Sequence, residues 1–148
     1  MRYHLLVPGK VIVVDTDVLV AALLGAGGAS RRVLRGCLNR KFRPVMGTAL
    51  FLEYESVMRR DALFRQCVLS ASERDQLLDA FLKVCEWIRI YYLWRPNLRD
   101  EADNHVVELA VAAAAEVIVT RNVKDFRRAE LKFPGLRILK PEQLTEEE

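Results

Sequence analysis

A chain of 148 residues, 51% hydrophobic, 29% charged and with a formal net charge of +3, has the size and composition of one globular domain. It contains no run of about 18 apolar residues that would span a membrane, and the apolar stretch of MRYHLLVPGK is too short to read as a signal peptide. Three widely spaced cysteines, Cys37, Cys67 and Cys85, argue against a disulfide framework or a zinc site and for a reducing, cytoplasmic setting, with the thiols as core fillers.

Val11–Val14 reads as a fully buried strand, short and β-branched, with Pro-Gly upstream. Asp17–Leu24 continues as a short helix closed by Gly25, for which Asp17 would serve as N-cap. Ser30 is placed to cap a basic helix whose apolar stripe is Val33, Leu34 and Leu38. Arg43–Met46 is a brief strand and Thr48–Arg60 a further helix. Ser72 is expected to cap an amphipathic helix with Leu77, Leu78, Phe81, Leu82, Cys85 and Ile88 at helical spacing. Ile88–Leu93 looks like strand, Asp100–Ala115 an alanine-rich helix, Val117–Thr120 a buried strand and Leu136–Leu139 the last one. The acidic tail at 141–148 is at most a short helix that then frays.

Strands that alternate with helices and carry unbroken apolar runs predict a three-layer α/β/α domain around a mainly parallel sheet, with a core over about 11–140. In such sheets ligands bind outside the carboxyl ends of the strands. That rule draws attention to the acids there. Asp15 and Asp17 follow the first strand, Asp100 and Asp103 open the alanine-rich helix, and Thr120, Asn122 and Asp125 follow the strand VIVT. Carboxylates brought together repel one another unless a cation sits among them, and oxygen-only donors suit Mg²⁺ or Mn²⁺. Each acid also has a plainer role. Asp100 and Asp103 could cap their helix, Asp125 could be a turn residue, and His105 an ordinary partly exposed helix position. Glu53 and Glu55 flank the apolar face of Thr48–Arg60 from either side, so periodicity does not choose between them.

Arginine outnumbers lysine 17 to 6, and its planar fork suits phosphate oxygens. Six basic residues and no acid lie between Arg31 and Arg43, and a second basic run from Arg121 to Lys132 follows VIVT. Either run alone is adequately explained as a solvated helix face.

Four pieces in order, VIVVDT at Val11–Thr16, TALFLEYESVMRR at Thr48–Arg60, RDEADNHVVELAVAAAAE at Arg99–Glu116 and VIVTRNVKDF at Val117–Phe126, resemble the PIN domain family. The likeness is nearest to toxins of prokaryotic toxin–antitoxin pairs, the VapC-type ribonucleases. It implies a metal-dependent endoribonuclease. Asp15, Glu53 rather than Glu55, and Asp103 would be the catalytic residues and the ligands of Mg²⁺ or Mn²⁺. Asp17, Asp100 and Thr120 would assist them. Asn122 stands where the family usually has a fourth acid, which leaves Asp125 as a replacement. Arg31, Arg32, Arg35, Arg121 and Lys124 would contact RNA. The same resemblance implies a cognate antitoxin and a second copy of the chain as partners.

Two other readings of these residues remain open. A hydrophobic strand running into Asp-x-Asp also opens the haloacid-dehalogenase-type phosphatases, where the first aspartate is a nucleophile. A PIN-like module that binds RNA or protein without cutting is the other, kept open by Asn122.

Overall fold

Five short parallel strands form the centre of the computed structural model, which describes residues 9–25, 28–90 and 104–147. In chain order the elements are β1 (Lys10–Val14), α1 (Thr16–Leu24), α2 (Ala29–Leu38), β2 (Phe42–Met46), α3 (Thr48–Met58), α4 (Ala71–Val84), β3 (Glu86–Trp87), α5 (Asn104–Ala112), β4 (Val117–Val119), α6 (Arg127–Lys132), β5 (Arg137–Leu139) and α7 (Pro141–Glu146). Two 3₁₀ turns, Asp61–Phe64 and Val123–Phe126, follow α3 and β4.

The strand order is β3-β2-β1-β4-β5, with every pairing parallel. Successive side chains of a strand point to opposite faces. Ile12, Val13 and Val14 are all buried, as are Val117, Ile118 and Val119, so helices must cover both faces. The α/β/α layering expected from the apolar runs follows. Helix α5 lies against β1, β2 and β4, whereas α2 packs on β2 together with α4 and also meets α1 and α7. Gly36 lets α2 and β2 approach, because a Cβ there would fall 2.6 Å from the Phe42 ring. The chain begins in the middle of the sheet, fills one side with β2 and β3, and returns to the other side of β1 with β4. The switch point therefore lies between β1 and β4. A crevice forms there at the carboxyl ends of the strands.

Several boundaries differ from the sequence expectation, each for a local reason. Asp15, not Asp17, is the N-cap of α1: its backbone is extended and its side chain accepts from the Thr16 N–H at 2.9 Å. Helix α2 starts from Gly28 without a side-chain cap, and Ser30 is buried inside its first turn. Helix α4 is capped by Ser70 in a reciprocal box with Glu73, and it stops at Val84 because Cys85 turns extended. The edge strand is Glu86–Trp87 instead of Ile88–Leu93, because β2 ends at Met46, the partner of Trp87; residues 91–93 lie outside the described residues. The tail forms the expected short helix, Pro141–Glu146, and is anchored at its end. Leu144 is fully buried, and Glu147 bridges Lys10 and Arg137, which hold its carboxyl down at about 2.

The Ser70 cap has a measurable consequence. Ser70→Ala is expected to cost about 0.5–2 kcal/mol, whereas Ser72→Ala, at an exposed position, should stay within about 0.5 kcal/mol of the parent. Urea denaturation of the two variants separates them; equal midpoints would place the cap elsewhere.

The cysteines behave as space fillers. All three thiols are free. Burial pushes the Cys85 thiol up to about 12 and raises that of Cys37 further, so neither forms thiolate near neutrality.

Candidate active site

Strand β1 delivers Asp15 and β4 delivers Thr120 to the same level of the sheet, since Val14 pairs with Val119 and the Asp15 N–H donates to the Val119 carbonyl at 2.9 Å. Thr120 is fully buried, and its hydroxyl donates to Asp15 Oδ2 at 2.8 Å while accepting from the Asn122 N–H at 3.0 Å. Asp15 is thus fixed from two sides, one oxygen on the α1 backbone and the other on Thr120. Asp17, one residue into the first turn of α1, accepts from the Arg121 N–H at 3.1–3.2 Å through both oxygens. Burial raises the Asp17 carboxyl above its ordinary range, against the pull of the Arg121 amide and charge.

Glu53 comes from α3. Buried Leu50, Tyr54 and Val57 seat that helix at helical spacing. The fully buried Tyr54 hydroxyl donates to the Val14 carbonyl at 2.6 Å, one residue before Asp15. This bond carries the neighbouring Glu53 to the end of β1. There the Thr16 hydroxyl donates to Glu53 Oε1, and His105 Nε2 lies 3.8 Å from the same oxygen. That separation is long for a hydrogen bond but close enough for an ion pair. His105 and then Thr16 hold the Glu53 carboxyl below the ordinary glutamate range, although burial works the other way.

Asp15, Thr16, Asp17, Glu53, Arg60 and Arg121 together line one pocket of about 430 Å³ at the switch point. Glu55 does not reach it, so the choice that helical periodicity leaves open is made by the packing. Among the described residues, no three carboxylates, histidines or cysteines close around a single ion. Asp100 and Asp103 lie outside the described residues.

The other expected site residues are placed differently. Asn122 donates its side-chain amide to Asp125, so these two close the 3₁₀ turn after β4 on each other, and neither lines the pocket. Arg31 is exposed too, but its guanidinium donates to the carbonyls of Ala22 and Leu23 at 3.0 and 3.5 Å, completing the C-terminus of α1. Arg32, Arg35 and Lys124 remain exposed. Thr16, Arg60 and His105 belong to the cluster without having been singled out in the sequence. For Arg60 a signal existed: on the helix expected over Thr48–Arg60, Glu53, Val57 and Arg60 are spaced four and three apart and would share a face, although α3 ends at Met58. His105 carried none, because its partner comes from another helix.

The sequence matches the PIN domain family over residues 11–124. The chain belongs to the PIN domain family. In structure this PIN domain is similar to VapBC2 from Rickettsia felis, solved bound to a DNA fragment from its promoter, with a TM-score of 0.56 and 17% identity over 88% of this chain and 98% of that one. At that identity the likeness speaks for the fold. No curated protein matches the sequence significantly. Membership of the PIN family sets the dehalogenase-type reading of Asp15-x-Asp17 aside. No helix among the described residues is long and apolar enough to cross a membrane.

Proposed function

We propose that this PIN domain is a metal-dependent endoribonuclease and the toxin of a toxin–antitoxin pair, acting in the cytoplasm on RNA. The observation that carries this reading is the convergence of Asp15, Asp17 and Glu53, from α3 and the two ends of one short turn, on a single pocket at the switch point of the sheet. Carboxylates so placed, one of them already raised by burial, favour a bound cation. An all-oxygen set of one or two carboxylates completed by water is the usual setting of Mg²⁺.

Asp15 and Glu53, with Asp103, would hold Mg²⁺ or Mn²⁺, and Asp17 and Asp100 would add charge beside them. When bound, such an ion supplies Lewis-acid stabilisation of the phosphodiester and a water of lowered pKa for in-line attack. The chain's own contribution is orientation. Thr120 fixes one oxygen of Asp15, Thr16 fixes one oxygen of Glu53, and Tyr54 sets the spacing between the two acids. Arg121, Lys124, Arg32 and Arg35 offer backbone contacts whose contribution falls with salt. The VapBC2 neighbour, a toxin–antitoxin complex on DNA, supports an antitoxin as partner; a second copy of the chain is the other partner we propose.

Incubation of the protein with single-stranded RNA tests this reading. Cleavage is expected with Mg²⁺ or Mn²⁺ and should stop on chelation. RNA left intact under both ions would sink the nuclease reading in favour of a non-catalytic RNA- or protein-binding module. The pairing of Asn122 with Asp125 away from the acids is the observation on that side.

A further inference from the structure

The pocket that holds the acids does not end at them. Beyond the carboxylates it runs between α1 and α3 along Val20, Leu24, Val57 and Leu63. Leu24 and Leu63 are 38% and 41% exposed, so their side chains form an open apolar wall instead of core. Two exposed arginines stand in the same lining. Arg121 lines it with Asp17 and Arg60 with Glu53, each near enough to act on the carboxylate by charge. Neither guanidinium makes a close ion pair among the described residues. Fork-shaped cations left open beside an acid centre match phosphate oxygens, and an apolar wall next to them matches the face of a base. The whole pocket, about 430 Å³, falls within the roughly 300–1,000 Å³ of small-ligand sites.

We propose that this extension is a nucleotide subsite. Arg60 and Arg121 grip the phosphates on either side of one nucleotide of an RNA strand, whose base lies against Leu24 and Leu63 next to the bond held at the acids. The subsite rests on the ribonuclease reading for its substrate class, but its binding is separable from cleavage. With aliphatic residues as its wall, it takes a base by contact area and not by its hydrogen-bonding edge, so it tolerates sequence.

The test uses the full chain carrying Asp15→Asn, so that RNA is retained, and a short fluorescein-labelled single-stranded RNA as probe. Arg60→Gln is expected to weaken binding about tenfold and to lower the slope of log K against log salt by about 0.7, the value for one single-strand phosphate contact. Leu63→Ser should weaken binding several-fold with the slope unchanged, and Leu24→Ser serves as a second probe of the wall, with thermal melts confirming that each variant is folded. If Arg60→Gln, Leu63→Ser and Leu24→Ser all bind the probe as tightly as their parent, the subsite does not exist, even if the native chain cleaves RNA. If binding depends on these residues but the native chain cuts nothing under Mg²⁺ or Mn²⁺, the subsite stands and the nuclease reading falls. Variants that keep RNA binding but lose a co-expressed antitoxin would overturn the proposal in favour of a protein-docking wall.

Discussion

Asp15→Asn is expected to lower metal-dependent RNA cleavage by at least about a hundredfold while leaving the melting temperature nearly unchanged. The two halves of that result come from different duties of one side chain. As N-cap of α1, Asp15 accepts from the Thr16 N–H, and asparagine caps a helix as well as aspartate does. The Thr120 hydroxyl that donates to Asp15 Oδ2 can accept from an asparagine amide instead. What asparagine cannot supply is the negative charge at the switch point. Loss of one preorganised electrostatic group at a reacting centre costs about 10²–10³ in rate. Asp15→Ala removes both duties. It should lose the same activity and, in addition, about 1 kcal/mol of stability, or about 2–4 °C in melting temperature for a chain of this size. Cleavage rates and thermal melts of the pair check the division. An Asp15→Asn protein that still cuts RNA at the parent rate would remove Asp15 from the mechanism.

Tyr54→Phe, which touches no substrate, is expected to reduce both stability and activity. The Tyr54 hydroxyl is completely buried and donates to the Val14 carbonyl at 2.6 Å, and its ring stacks on Phe81 with centroids 6.1 Å apart. Burial keeps the phenol protonated far above neutral pH, so the donor is always present. Phenylalanine keeps the stacking and loses the hydrogen bond, a change worth about 1–3 kcal/mol when the acceptor is left buried, which is several degrees in melting temperature. The bond also ties the residue after Glu53 to the residue before Asp15. Without it α3 is free to shift against the end of β1, and misplacement by about 1 Å can cost a hundredfold in rate. A measurable fall in cleavage at a temperature where the variant is fully folded is therefore expected. Unchanged melting would show that the hydroxyl makes no net contribution, and unchanged cleavage that Thr16 and His105 hold Glu53 without help.

The strands at the centre were readable because their signal is local. Val11–Val14 and Val117–Val119 are unbroken β-branched runs, and that pattern requires burial on both faces wherever the chain goes next. The parallel layering, the carboxyl-end location of the candidate site and the place of Asp15 at the end of β1 all follow from it. Boundaries were harder for an equally local reason. Ser70 and Ser72 both precede the α4 stripe, and only Ser70 has a glutamate three residues on to close a box. Asp15 and Asp17 both stand at the start of α1, and the first lies where the strand has just ended.

Placement across the fold is another matter. Helical spacing sets the angle of a side chain about its own axis but not what stands opposite, so Glu53 and Glu55 were equivalent until Tyr54 anchored α3 beneath Val14. Arg31 is a surface cation to which only the folded α1 offers open carbonyls, and His105 acquired Glu53 as a neighbour only when α3 and α5 packed together. Sequence by itself determined the layer architecture and the position of Asp15 at the end of β1, because hydrophobic burial and chain connectivity are written along the chain. Tertiary structure alone decided which of the remaining charged groups meet, since those contacts join residues as many as 137 positions apart, and only the fold brings them within reach.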